Sequence, residues 1–167
     1  MSWKDIITAI LNSLFKPKPP NPNPTPNPIP GPNNLLDLHN QHRQQLHLGV
    51  LNLHPSLVKA AQKHSEWMNQ NKRLDHNENG KTPGDRINAE GYRYYTYGEN
   101  IAMGYSTAEK VFIGWLNSSG HRANIENSRF KDVGFGVSGT YWTAVFAASN
   151  MSLSEELFNL PEGITGE

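Results

Sequence analysis

The 167-residue chain is predicted to fold as an α+β domain, and three observations carry that prediction. Helical periodicity of apolar residues fills the stretch after residue 33. Two strand-like runs joined by a tight turn come late, and a proline tract separates off everything before residue 33. Helices first with strands interleaved late favour α+β layering over a parallel doubly wound sheet.

The chain opens with "MSWKDIITAILNSLF", in which Trp3, Ile6, Ile7, Ile10, Leu11, Leu14 and Phe15 form one helical stripe. A signal peptide would need a basic start, an unbroken apolar core and a small-residue cleavage site. Asp5 offsets Lys4 here, polar residues interrupt the run, and no Ala-x-Ala follows. The stretch is also too short to span a bilayer. Residues 1–16 are therefore expected to be a docking helix. Its partner would be a protein groove or a bundle of its own copies, with a membrane interface the less favoured target. Lys16 to Pro32 holds nine of the twelve prolines, so residues 17–32 are expected to be a polyproline II spacer. The globular domain is expected over 33–150, with a tail over 151–167.

Within the domain, Leu35, Leu38, His42 and Leu46 share a helical face, and Gly49 marks the stop. Pro55-Ser56 opens a second helix reaching Lys72, with Leu57, Val58, Ala61, Ser65 and Met68 on its packed face. Thr82-Pro83 starts a short third helix running to about Glu90, since proline suits the first helical position. Ser106-Thr107 caps a fourth, whose buried stripe is Val111, Phe112 and Trp115. The run "WLNSSGHRANI" reads as that helix ending at Gly120, with His121 aimed by the turn beyond. "YYTYGENIAMG" is expected to be a strand. "DVGFGVSG" and "YWTAVFAAS" form a hairpin about Ser138-Gly139-Thr140.

Lys+Arg and Asp+Glu balance at 15 each, which gives no field for nucleic acid, and none is expected as a partner. The absence of cysteine excludes disulfides, thiolate metal sites and a cysteine nucleophile. A domain of this size can be stabilised by its core alone, so the compartment stays open. His39-x-x-His42 lacks an HExxH context and is assigned to the surface or the core. His47, His54 and His64 are assigned to the surface. No GxSxG surrounds Ser118 or Ser119, so a serine-hydrolase reading is set aside. The tyrosines of "YRYYTY" are read as strand-edge residues.

"HNQHR", "AAQKHSEWM", "LDH", "GENIAMG", "WLNSSGHRANI" and "VGFGV" occur in one order. Together they resemble the CAP superfamily, the SCP-like domain of cysteine-rich secretory proteins, antigen 5 and plant pathogenesis-related proteins 1. The likeness is to its cysteine-free bacterial branch. It spans about Asn33 to Ser149 and implies a three-layer α-β-α sandwich. It also implies an extracellular or cell-envelope setting, with a virion or other large assembly as the alternative. By position, the resemblance assigns the family's cavity residues to His76, Glu99 and His121. The family's second acid falls on Ser118, a departure that weakens any transfer of enzymatic activity. Asn40, Arg43, Asn100 and Asn124 would be structural.

Two imidazoles and a carboxylate suit Zn²⁺ or another divalent cation, with Glu99 as ligand or outer-shell partner. The same three could run acid–base chemistry without a metal, and a metal-dependent hydrolase or peptidase stands as a further, lesser alternative. Two functions follow: a cleft taking a metal and a peptide, lipid or cell-wall ligand, or a non-catalytic assembly module docked through residues 3–15.

Overall fold

The computed structural model describes residues 33–149, together with Asp5 and Thr8, which are helical and exposed. The docking helix, the proline arm and the tail expected over 151–167 otherwise lie outside the described residues. In chain order the elements are α1 (Asn33–Gln45), β1 (Asn52–Leu53), α2 (Pro55–Asn71), α3 (Pro83–Ala89) and β2 (Thr96–Met103). They continue as α4 (Ala108–Asn117), α5 (Ser119–Ile125), β3 (Asp132–Ser138) and β4 (Tyr141–Ala148).

Local chemistry sets these boundaries. Thr82 and Asp85 form a reciprocal capping box at the start of α3, with proline in the first turn. Thr107 caps α4 by accepting from the Lys110 N–H. α2 ends where Lys72 takes the left-handed conformation, φ 51°, the role glycine more often fills. The β3–β4 hairpin turns at Gly139, φ 58°, a value that suits glycine at a tight turn.

The strand order is β1-β3-β4-β2, antiparallel except for the β1–β3 pair, with α2 and α3 on one face and α1, α4 and α5 on the other. Alternation along β4 divides the core. Trp142, Ala144 and Phe146 pack with Leu35, Leu38, Phe112 and Trp115 on one side. Val145 and Ala147 meet Leu57, Ala61 and Ile87 on the other. Gly134 and Gly136 sit on the α2 side of β3. A Cβ at either would run into the backbone of Leu57–Val58 or Ala61–Gln62, so these glycines let helix and strand approach backbone to backbone.

Asn40 and Arg43 fasten α1 to the loops around it. Asn40 exchanges hydrogen bonds with Leu51, donating from Nδ2 to its O at 3.0 Å and accepting from its N at 2.8 Å. Arg43, fully buried, donates to the carbonyls of Gly49, Ile125, Asn127 and Phe130. A guanidinium with this many carbonyl acceptors replaces the water it loses on burial.

Three expectations are corrected. The chain does not stop at Gly120: Ser118, in extended conformation, ends α4 and starts α5, and Gly120 and His121 lie inside α5. Gly120 has no positive φ, and a Cβ there would meet nothing within 4 Å, so it permits no close approach. His64 is fully buried, and His54 is buried as the N-cap of α2, its Nδ1 accepting from Ser56 N at 3.2 Å. His47 is exposed. The third concerns β1, whose two residues are too short to show a period and were not expected.

Candidate functional site

The site is built on β2, which among the described residues is an edge strand paired only with β4. Glu99 and Asn100 are consecutive, so their side chains leave opposite faces of the sheet. Glu99 enters the α2/α3 layer and Asn100 enters the layer of α5.

On the first face Glu99 is almost wholly buried and both its oxygens are engaged. Oε1 accepts from His76 Nδ1 at 2.8 Å, and Oε2 is clamped by Arg86. Arg86 belongs to α3 and also donates to the carbonyl of His76 at 2.8 Å. One guanidinium thus fixes both the carboxylate that orients His76 and the backbone that carries it. A neutral imidazole that gives Nδ1–H to a carboxylate carries its lone pair on Nε2, and the His76 side chain is 50% exposed. Behind this pair, His64 donates from Nε2 to the carbonyl of Asp75 at 2.9 Å and faces Glu78 with Nδ1 at 3.3 Å. Burial holds His64 below the ordinary histidine value, against the opposing pull of Glu99.

On the second face Asn100 donates to the carbonyl of His121 at 2.9 Å and accepts from Asn124 Nδ2 at 2.9 Å. Asn124 also reaches the carbonyl of Glu99 at 3.2 Å. Two asparagines thereby seat α5 against the edge of β2, and His121 rides on it. Trp115 adds a bond from its indole N–H to the carbonyl of Ile101 at 3.3 Å, so helix side chains cover part of this open edge. The His121 ring is half-buried and makes no side-chain hydrogen bond among the described residues. Burial, then the charge of His76, lowers its pKa.

The structure joins His76 to Glu99 and Glu99 to Arg86, and it ties the backbone of His121, not its ring, to Asn100. A shell of three protein ligands does not fit: the Glu99 carboxylate is spent on His76 and Arg86. No group of three His, Cys, Asp or Glu side chains among the described residues is arranged to hold a metal. Glu99 behind His76 is the outer-shell arrangement that fixes a histidine's tautomer.

Sequence reasoning missed Arg86, His64 and Glu78. His64 was findable, because it lies on the same α2 stripe as Leu57, Ala60, Ala61 and Met68, three or four residues apart. Arg86 carried no such signal, since nothing local tells which carboxylate an arginine will meet. His39 and His42 are core residues. His39 donates from Nδ1 to the carbonyl of Leu35 at 2.7 Å, and its ring packs among Phe112, Phe135 and Phe146.

A cysteine-free α-β-α sandwich with a histidine–glutamate pair on its edge strand has the character of an SCP-like domain. The chain matches the cysteine-rich secretory protein family (CAP) over residues 36–147, most of its length, and belongs to that family. It is 38% identical over 115 residues to the uncharacterized protein YkwD of Bacillus subtilis, covering 67% of this chain and 45% of the relative. It is 34% identical over 113 residues to the uncharacterized membrane protein YlbC of the same species, covering 67% and 33%. Among solved structures it resembles an SCP-domain extracellular protein of Bacillus anthracis, with TM-score 0.68 and 32% identity over 70% of this chain and 40% of that one. The matched part spans less than half the length of each of these three proteins.

Proposed function

We propose that this CAP domain is a binding module whose β2-edge cleft takes a divalent cation, zinc foremost, on the imidazoles of His76 and His121. The remaining positions would be open to a peptide, lipid or cell-wall ligand. The observation that carries this reading is the bond from His76 Nδ1–H to Glu99 Oε1 at 2.8 Å, which directs the lone pair to Nε2. Arg86 holds Glu99 in place, so His76 needs little reorganisation to act as a base or a ligand. His121 is biased toward its neutral form, the form that coordinates. Zinc, when bound, supplies a Lewis-acid centre there. The chain's own residues divide the work, in that Glu99 orients His76, Arg86 fixes Glu99, and the two asparagines hold α5.

Calorimetry with zinc at neutral pH, on the wild type and on the double variant His76→Ala/His121→Ala, tests this. Saturable heat in the wild type alone is expected, and equal heats from both proteins would overturn it. Residues 3–15 are proposed to anchor the domain to a protein partner or to copies of itself, with the proline tract displaying it. An extracellular or envelope setting for that assembly is supported by the extracellular SCP-domain relative.

A further inference from the structure

The segment between His76 and α3 contains the one Asn-Gly step in the sequence, Asn79-Gly80. These are the central residues of a tight turn between the bridge partners Glu78 and Lys81, with φ 50° at Asn79 and 83° at Gly80. Left-handed backbone at both positions is what selects Asn-Gly for such a turn. The same pair is open to attack within the chain, because glycine has no side chain to keep its nitrogen from the asparagine amide.

The surroundings leave that attack unhindered. Asn79 and Gly80 are both exposed, and a Cβ at Gly80 would meet nothing within 4 Å. Neither the Asn79 side-chain amide nor the Gly80 N–H makes a hydrogen bond among the described residues. Two backbone bonds of 2.9 and 2.8 Å close the turn, and an isolated exposed bridge of this kind opens at little cost. Asn40, Asn100 and Asn124 differ on every count. Their side chains are hydrogen-bonded, and Gln41, Ile101 and Ile125 follow them.

We propose that Asn79 is a site of spontaneous deamidation, through which this turn changes its own backbone. The Gly80 nitrogen bonds to Cγ of Asn79 as the Cγ–Nδ2 bond breaks, and its proton leaves with Nδ2 as ammonia. Water then opens the five-membered imide. Cleavage at Cγ gives aspartate, whereas cleavage at the Asn79 main-chain carbonyl gives isoaspartate, with the chain rerouted through Cβ and Cγ. Either product adds a negative charge beside Glu78. Isoaspartate also lengthens the main chain by one atom, so Glu78 and Lys81 lose their facing register. Glu78 meets buried His64 at 3.3 Å and lies 4.0 Å from Arg86, which clamps Glu99. The modification therefore reaches the back of the histidine–glutamate pair, and it does not depend on metal binding there.

Storage of the folded full chain for several weeks at mildly alkaline pH, then mass spectrometry of the tryptic peptide 74–81, tests this. Deamidation is expected at Asn79, at least tenfold faster than at Asn77 in the same peptide, with isoaspartate the major product. A protein isoaspartyl methyltransferase should methylate the stored chain and not the fresh one. Amide NMR of the stored chain should show shifts at His64, Glu78 and Lys81. Asn79→Gln, stored alongside, should lose both the mass gain and these shifts. An unmodified Asn79, or equal rates at Asn77 and Asn79, would overturn the site. Isoaspartate at Asn79 with unmoved signals at His64 and Glu78 would overturn its reach to the histidine–glutamate pair.

Discussion

Glu99 and Asn100, neighbours in one edge strand, fasten His76 and the backbone of His121 from opposite faces of the sheet. Glu99 takes His76 at 2.8 Å, and Asn100 takes the backbone of His121 at 2.9 Å. His76 and His121 come from segments 45 positions apart in the chain, and the alternation of this strand fastens one to each face of the sheet.

Arg86 is the residue on which the first half depends. Arg86→Met would leave the Glu99 carboxylate buried without its counter-charge, and breaking such a pair costs about 3–5 kcal/mol. Urea unfolding should show a loss of that order, and Arg86→Met/Glu99→Gln should recover part of it. A loss under about 1 kcal/mol in the single variant would mean that the pair is far better solvated than its burial indicates.

The glycines of the fold make a matched test. Gly134→Ala or Gly136→Ala sets a methyl against the backbone of α2, which cannot rotate away as a side chain can. Overpacking of that kind costs about 1–3 kcal/mol or more, so melting should fall by several degrees. Gly120→Ala adds a methyl to open space inside α5 and should stabilise by about 0.4–1 kcal/mol. If Gly120→Ala lowers the melting temperature, the helical assignment around His121 is wrong.

Those glycines also mark where the sequence was legible and where it was not. Thr82-Pro83, Thr107 and the Gly139 hairpin carry their own stop and start chemistry within a few residues, and each element formed where that chemistry placed it. At Gly120 the local signal misled. A glycine after a helical stripe reads as a stop, but the break came two residues earlier, at Ser118, whose extended backbone starts a new helix. Recurring family motifs singled out His76, Glu99 and His121. Their geometry was not legible, because the partner that fixes Glu99 is an arginine 13 positions away on another element.

His39 makes the domain sensitive to acid. Burial lowers its pKa from 6.5 to about 3, whereas the unfolded chain binds that proton near the ordinary value. The unfolded state therefore takes up the proton first as pH falls. The stability this residue contributes is complete above pH 6.5 and declines from there to about 3. The slope is about 1.4 kcal/mol per pH unit for one such group. His64 and His121, also lowered, act in the same direction. Urea midpoints of the wild type and His39→Leu, measured at several pH values between about 7 and 4, should diverge, with the variant's curve the flatter. Parallel curves would show that the His39 ring is protonated in the folded state.

The N-terminal stripe offers the last test. Seven large apolar residues on about fifteen positions would, as a helix, be marginal alone in water. Their burial against a partner would contribute on the order of 10 kcal/mol before ordering costs, taking about 1.5–3 kcal/mol per side chain. Lys4, Asp5 and Lys16 are its only charges, a polar face without the Lys/Arg richness of a membrane-surface helix, so a protein groove or self-bundling is favoured. Ile7→Asp/Ile10→Asp places two carboxylates in the middle of the stripe. Sedimentation of the full chain should then show a smaller species, while melting of the domain and zinc binding stay as in the wild type. Deleting residues 1–32 should leave the melting temperature within a few degrees, because few contacts cross a polyproline arm. An unchanged oligomeric size in the double variant, together with retained association with the same assembly, would refute docking through this helix. A large fall in melting temperature on deletion would instead mean that the stripe packs on the domain itself.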